Sequence, residues 1–417
     1  MINNHGKYVS RRLTTKPSGG NAEHPSRSVP CEEMRPVTES RDVMGTSRKS
    51  ADTMRARITR LLGVTAAAAG ACLVMTGTAA AVPPANGIAE VIPAAGSDTI
   101  FDITNAVFAD ANTTGSAWNT DPDNYVNIPP VLPAGGSFTV PADPWSPGTT
   151  YDASNPPPDG SSAGKAALDA SAAALDGKYE IARSSSERGA NDPATFEYYG
   201  FGRDAVTWSS SSTGAGAGLP LTLAQLRGVY DGSITNWSQV GGTNAAIKVY
   251  LPQVGSGTLS FFTKNVLKFD PTTKPVTITR FQENDATSID AANRANAIAP
   301  FSVAQWIAQG NGVTSDKRAG FTVNRLTGAG SDGDLVTGSA GSYKPAFADT
   351  FIGSRIVYYV LDTRTRRYGQ AKRAVGFDDG DTAATASPLC GGKLADIITK
   401  YGFKTVAGTG DLTCVKA

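Results

Sequence analysis

Histidine is almost absent from this sequence, since His5 and His24 are the only two among 417 residues. Without an imidazole beyond residue 24, the rest of the chain cannot form a Ser-His-Asp or Cys-His catalytic group, or a zinc site with histidine ligands. No other pattern in the sequence supplies catalytic residues or a set of metal ligands. We therefore expect a protein that is not an enzyme and that carries no cofactor.

The first 81 residues differ in composition from the rest. Residues 1–53 are polar and lack apolar periodicity, and we expect them to be a disordered extension or a misassigned start. Residues 54–81 contain a basic stretch, an apolar alanine-rich run and a small-residue cleavage site, the features of a secretory signal peptide. The sequence thus predicts a secreted or cell-envelope protein. An uncleaved membrane anchor stays an alternative, because the apolar run is just long enough to span a bilayer.

Cysteine is also scarce, with four residues, of which two lie in the first 81. The other two, Cys390 and Cys414, flank the last helix-like segment. They belong to no CxxC motif and have no histidine to activate a thiolate, which disfavours a redox or catalytic role. Because cysteines of exported proteins pair under oxidising conditions, the sequence predicts a Cys390–Cys414 disulfide.

Positive charge is limited beyond the signal peptide. Residues 82–417 hold 26 Lys and Arg against 31 Asp and Glu. Nucleic-acid binding depends on an excess of clustered basic side chains, so we expect no nucleic-acid partner. The remaining length suits two lobes better than one small core.

The apolar pattern beyond residue 88 predicts strands that alternate with helices, which indicates a parallel or mixed α/β sheet covered on both faces. One predicted helix is capped by Thr222 and ends at Gly232. Residues 113–160 are rich in Pro, Gly, Asn and Asp. We interpret them as a surface insertion, with a hairpin around residues 135–140.

Serine and threonine cluster in four loops, each predicted at a strand end or a helix start. Ligands of open α/β sheets bind beside the carboxyl ends of the strands, and hydroxyl groups can donate to an anion. Any one loop also fits a helix cap or turn, but the four together predict an anion-binding cleft. The loop residues are Ser97, Thr99, Ser161, Ser162, Ser184, Ser185, Gly255, Ser256, Gly257 and Thr258.

The last of these loops, GSGT at residues 255–258, joins a β-branched strand to an amphipathic helix start. Glycine allows the backbone to approach a ligand closely, and the first N–H groups of a helix favour an anion. A plain helix N-cap at Ser256 is the alternative interpretation.

Several motifs accompany the GSGT loop. They are LTLAQL at residues 221–226, YDGSITNW at 230–237, two phenylalanines in the pattern GSGT-x-x-Phe-Phe, and AIAPFS at 297–302. Together they resemble the substrate-binding proteins of phosphate ABC transporters. The resemblance implies the type II periplasmic-binding-protein fold, an α/β fold of two lobes that close on a ligand about a hinge. It places lobe 1 at 82–205 plus 346–417 and lobe 2 at 206–345.

The resemblance also implies which residues bind the ligand. Thr99, Ser162 and the GSGT loop match family positions. Two charged positions do not match, because Ser185 stands where the family has an aspartate and Pro252 where it has an arginine. An aspartate acceptor disfavours fully ionised sulfate, and arginine supplies charge-assisted bonds. Arg183 is a candidate to restore the positive charge, and a solvated surface arginine is the equal alternative.

Three functions remain open on the sequence. The first is a non-catalytic, monomeric receptor that binds phosphate or a related oxoanion and delivers it to an ABC permease. The second is an extracellular interaction protein that keeps the receptor fold without transport. The third is a phosphate-ester hydrolase with a carboxylate-held metal, for which Asp98, Asp102, Glu283 and Asp285 are scattered candidates.

Overall fold

The computed structural model describes residues 89–112, 123–330 and 333–417. The predicted extension (1–53), the signal peptide (54–81) and the start of the predicted insertion (113–122) lie outside these ranges. All described residues belong to one compact unit, Met75–Ala417. Within them, no helix combines the length and the apolar character that a membrane crossing requires.

Seven α-helices and seventeen strands are present in the described ranges. The helices are α1 (Phe101–Ala111), α2 (Ser161–Ala174), α3 (Leu223–Asp231), α4 (Gly257–Phe261), α5 (Val303–Gly310), α6 (Tyr368–Val375) and α7 (Ala395–Lys400). The strands are β1 (Val91–Gly96), β2 (Asn124–Asn127), β3 (Phe138–Val140), β4 (Thr149–Tyr151), β5 (Ile181–Ser184), β6 (Phe196–Ser211), β7 (Leu221–Thr222), β8 (Lys248–Pro252), β9 (Ile278–Phe281), β10 (Ala297–Ser302), β11 (Phe321–Val323), β12 (Leu326–Thr327), β13 (Val336–Thr337), β14 (Lys344–Pro345), β15 (Ser354–Asp362), β16 (Lys404–Thr405) and β17 (Val415–Lys416).

The main sheet has the order β2-β1-β5-β15-β6-β10-β8-β9. Its two ends are parallel, because β1 pairs in parallel with β2 and β5, and β8 with β9 and β10. The long strand β6 lies between the ends and is antiparallel to both neighbours. It pairs with β15 up to Ala205 and with β10 from Val206, so one strand serves both halves of the sheet.

Separate hydrophobic cores form on the two halves. One contains Trp208, Trp237 and apolar residues from β8, β10 and α5. The other contains Ile92, Phe108 and apolar residues from β15 and α6, and a smaller cluster holds the remaining apolar residues of β15. The burial of one apolar core in each half of the sheet gives a two-lobed α/β molecule. The predicted fold class is therefore confirmed. The lobe boundaries taken from the resemblance stay predictions.

Three local expectations can be compared with the structure. Thr222 caps α3 in a capping box with Gln225, and Gly232 ends the helix in a left-handed conformation, as predicted. Strands β3 and β4 form a hairpin, of which only β3 lies in the predicted range 135–140, because its partner strand is residues 149–151. The insertion differs, because β2 is an edge strand of the main sheet and buries Tyr125.

The predicted disulfide is present between Cys390 and Cys414, and both residues are buried. It closes a loop of 24 residues around α7. The bond therefore holds the carboxyl-terminal segment, including β16 and β17, which pair with β6, against the core.

Candidate functional site

The hydroxyl-rich loops lie at strand ends, where the predicted fold places them. The first loop follows β1, the second forms the start of α2, the third follows β5 and the fourth connects β8 to α4. Parallel strands bring their carboxyl ends to one edge of a sheet. The loops of the two halves consequently face one another, and their side chains at Ser97, Thr99, Ser161, Ser185 and Thr258 are fully buried.

These five side chains form one cluster, which we call the hydroxyl cluster. Ser97 Oγ donates to Ser185 Oγ at 3.0 Å, and Ser161 Oγ lies 3.3 Å from Ser185 Oγ. Ser161 Oγ also accepts from the backbone N–H of Ser185 at 2.9 Å. Across the cleft, the Oγ1 atoms of Thr99 and Thr258 are 3.3 Å apart. Four predicted loops thus converge on one buried polar point.

Glycine permits this close approach. A Cβ at Gly257 would come within 3.0 Å of the hydroxyl oxygens of Ser161 and Ser185. Nearby, the backbone N–H of Ser162 donates to the Gly255 carbonyl at 3.1 Å. Because Gly255 has φ +94°, the turn needs a residue without a side chain.

A buried arginine that sequence reasoning missed completes the cluster. Arg355, on β15, is 2% exposed and donates to Thr258 Oγ1 at 3.0 Å and to Thr99 Oγ1 at 3.4 Å. Its guanidinium also donates to Asp204, with Nη2 to Oδ2 at 2.8 Å, and to the Ser185 carbonyl at 3.0 Å. The cluster therefore contains a charged donor, held in place by a carboxylate on β6.

A family model described as the PBP superfamily domain matches residues 149–377, more than half of the chain.

The chain belongs to the PBP superfamily.

A solved structure agrees with this assignment at the level of the fold. A phosphate-bound crystal structure from Clostridium perfringens, described as a candidate phosphate ABC transporter substrate-binding protein, has 15% identity and a TM-score of 0.50. The similarity covers 76% of this chain and 100% of that one. An ABC-type phosphate transport receptor from Vibrio cholerae has 18% identity and a TM-score of 0.46 over the same shares. No curated protein matches the sequence significantly.

In this PBP-superfamily chain, Arg183 does not face the hydroxyl cluster as a free donor. Its guanidinium is buried and donates to the carbonyls of Ala94, Gly96, Ser97 and Ile128, and to the side chain of Asn127. These five bonds use all five N–H groups of an arginine. The surface interpretation is wrong, because Arg183 is fully buried. Its role as a ligand donor stays a prediction, for which these five bonds leave no free N–H group, and the positive charge within the cluster is that of Arg355.

Two further predicted residues lie outside the cluster. Ser184 Oγ donates to the Ser186 carbonyl at 2.8 Å, and Ser162 is exposed. Ser256 sits at the edge, where its Oγ accepts from the N–H of Leu259 at 3.0 Å and donates to Glu283. It is therefore the helix N-cap that the alternative interpretation described, in addition to a polar contact of the cleft.

Carboxyl groups gather beside the cluster. Asp98, Asp102, Glu283 and Asp285, which look scattered in the sequence, line one cavity of about 250 Å³. Burial raises the pKa of Asp98 well above its usual value, and the charge of Glu283 raises it further. Burial and the same glutamate raise the pKa of Asp159, the residue before Gly160, to about 6. This side of the cleft is thus acidic.

Proposed function

We propose that this protein is a non-catalytic, extracytoplasmic solute-binding protein that holds phosphate or a related oxoanion between its two lobes. The single observation that supports it best is the convergence of four hydroxyl-rich loops and Arg355 on one buried point. Membership of the PBP superfamily supports the same function. The structure with bound phosphate that shares this fold gives phosphate as the first ligand to test.

The chemistry of the cluster suits an oxoanion. Serine and threonine hydroxyls donate without adding charge, and the guanidinium adds charge-assisted bonds about twice as strong as neutral ones. Asp204 balances that charge and accepts from the Ser302 hydroxyl at 2.9 Å. Since Ser185 replaces the family aspartate, this position offers no carboxylate to repel sulfate. Phosphate and sulfate are both ligands of the proposed class.

Ligand entry requires the lobes to separate. The Thr99 and Thr258 hydroxyls are within hydrogen-bond distance of each other, whereas donors on opposite sides of a tetrahedral oxoanion lie roughly 6 Å apart. We infer that the two halves open by a few ångströms about β6 and its neighbours, the hinge motion of this class of receptor. The hydrogen bond between the Thr99 and Thr258 hydroxyls also fits the second candidate function, an interaction protein whose cleft stays closed.

The proposal also includes export from the cytoplasm, a transport partner and a monomeric state. The sequence signal at residues 54–81 supports export, and the fold supports delivery of the ligand to an ABC permease by a monomeric receptor. The hydrolase hypothesis has less support. Its four candidate carboxyl residues line one cavity, but within the described residues they are not grouped closely enough to hold the metal ion that this hypothesis requires.

Calorimetric titration of the purified secreted protein tests the proposal. We expect saturable heat with phosphate or sulfate at one site per chain. Thr258→Val, which keeps the side-chain shape but removes the hydroxyl, should weaken binding about tenfold or more. Thr263→Val is the matched control, since that hydroxyl bonds only within its own helical segment, to the Leu259 and Ser260 carbonyls. Absence of heat with every oxoanion would favour the interaction protein.

A further inference from the structure

A second polar cavity adjoins the hydroxyl cluster, and its lining comes from both halves of the molecule. Asp98 and Asp102, at the start of α1, line one wall. Residues 283–285, the side chains of α5 and the segment 314–317 line the other. Its volume of about 250 Å³ is large enough for a small organic group.

Two buried polar atoms in this lining have no hydrogen-bond partner within the described part of the chain. They are Glu283 Oε1 and Thr314 Oγ1. Glu283 is 1% exposed, and its other oxygen accepts from the Ser256 hydroxyl. Because an unpartnered buried carboxylate oxygen is costly, both atoms in one cavity point to a hydrogen-bond donor that binds there.

The cavity is strongly acidic. Four carboxyl groups line it, and Lys317 is the one basic side chain among its lining residues. That lysine is half exposed and lies 3.5 Å from Asp285. Its charge also acts on Asp98 and Asp102, where it opposes the rise in pKa that burial causes, so a single cation stands against four carboxyl groups of the lining. The helix dipole favours Asp98 and Asp102 at the start of α1, but it gives no account of Glu283, which faces them from the other half.

The cavity and the hydroxyl cluster share direct contacts. Asn284, which lines the cavity, donates from Nδ2 to Thr99 Oγ1 of the cluster at 3.3 Å. Its neighbour Glu283 accepts from Ser256 at the edge of the cluster. Asp98 precedes Thr99 in the chain. A ligand with an oxoanion at the cluster can therefore place a second group, a few bonds away, in the acidic cavity.

We propose that this cavity binds a primary ammonium group, and that the ligand is an aminoalkyl phosphonate or an aminoalkyl phosphate ester. The inference rests on the proposed oxoanion site and specifies its ligand class. An ammonium has three N–H donors and no acceptor, which matches the Glu283 and Thr314 oxygens and the Asp98 carboxyl. In the described residues no three His, Cys, Asp or Glu side chains are grouped to hold a metal ion, so an organic cation fits better than a bare metal.

A matched pair of ligands tests the inference. The secreted protein is titrated calorimetrically with 2-aminoethylphosphonate and with ethylphosphonate, which lacks the amine, and separately with inorganic phosphate. We expect the amine to strengthen binding at least about tenfold, as a charge-assisted hydrogen bond does. The readout is the ratio of the two phosphonate affinities. Both ligands carry the same phosphonate group, so any change in how the protein binds that group affects both affinities equally and leaves the ratio unchanged.

Two variants test which side chains bind the amine of the ligand. Glu283→Gln and Thr314→Val should each lower the affinity ratio toward one, and the second leaves the charge of the cleft intact. Asp290→Asn, an exposed aspartate outside the cavity, is the control and should keep the ratio.

A ratio near one in the native protein that still binds phosphate would overturn the ammonium site and leave the proposed function standing. The ammonium site is likewise overturned if both variants keep the native ratio. Failure of phosphate, sulfate and both phosphonates to bind would overturn the proposed function together with this inference.

Discussion

Gly257 shows how a single residue controls the approach of the two halves. Its Cα hydrogens face the Ser161 and Ser185 hydroxyls, and an added methyl group would come within 3.0 Å of both oxygens. The position starts α4, where alanine is otherwise favourable. The effect of a substitution there is therefore expected on closure rather than on helix formation.

We predict that Gly257→Ala weakens oxoanion binding about tenfold or more, because the methyl group must displace two hydroxyls of the cluster. Calorimetric titration with phosphate, alongside a thermal unfolding curve, separates this effect from misfolding. Gly333→Ala is the matched control, since a Cβ there meets no atom within 4 Å. Equal affinities in both variants would show that the loops do not meet when the ligand is bound.

Some residues of the cluster could be identified from the sequence, and others could not. Local hydroxyl clustering was enough to find the five members that lie at strand ends or in the first turn of a helix, which are Ser97, Thr99, Ser161, Ser185 and Thr258. Arg355 and Asp204 sit inside strands β15 and β6, and their ion pair depends on a tertiary pairing that no local spacing encodes. The only sequence signal for Arg355 was a charged residue within an otherwise apolar strand.

Helix α3 illustrates stability at the level of an element. Thr222 Oγ1 accepts from the Gln225 N–H at 3.1 Å, and Gln225 Oε1 accepts from the Thr222 N–H at 2.8 Å. These reciprocal bonds satisfy two N–H groups that a helix start leaves without partners. Leu226 and Tyr230 then bury the apolar face of the helix in the core around Trp208.

Thr222→Ala should lower the free energy of unfolding by about 1 kcal/mol, because it removes the cap without creating a cavity at this exposed position. Denaturant titration measures the change, and oxoanion affinity should stay at the native value. Thr243→Ala, at another exposed threonine, should change stability by much less. A loss equal to that of the control would mean that α3 is fixed by packing alone.

Elements with strong apolar periodicity were predictable, and those set by pairing partners were not. The cap at Thr222 and the end at Gly232 follow from local chemistry. Strand β2 does not follow from local chemistry, because its four residues show little apolar periodicity and their burial comes from pairing with β1. The polar composition of residues 113–160 concealed an edge strand of the main sheet.

At the scale of the whole molecule, the acidic side of the cleft opposes closure. Asp98 belongs to one half and Glu283 to the other, and their charges interact across the cavity. Folding raises the pKa of Asp98 and of Asp159, so the folded protein binds protons more tightly than the unfolded chain. Stability from these groups is present at low pH and decreases as pH rises through the raised pKa values.

For Asp159, we predict a loss of up to about 3 kcal/mol between pH 4 and about pH 7, since its pKa rises from 3.8 to about 6. Asp159→Asn keeps an oxygen that can accept from Gln253 Nε2, which donates to Asp159 at 2.9 Å, and it removes the charge. The variant should match the native protein at pH 4 and be more stable above pH 6, by denaturant titration. A stability difference that does not vary with pH would contradict the assignment.

The two-lobed arrangement was the most predictable feature at this scale, because chain length, alternating elements and the family motifs all indicated it. What the sequence left undetermined was the charge of the cleft, since that depends on which distant carboxylates the closed lobes bring together.

Strand β6 has a further consequence, for cooperativity. Its first part belongs to one hydrophobic core, with Tyr199 and Phe201, and its second part to the other, with Val206 and Trp208. If β6 separates from either core, apolar residues of the other core also become exposed to water. Amide hydrogen exchange along β6 should therefore report a single global opening, with equal protection on both sides of Ala205, even if the two halves open about a hinge as proposed above.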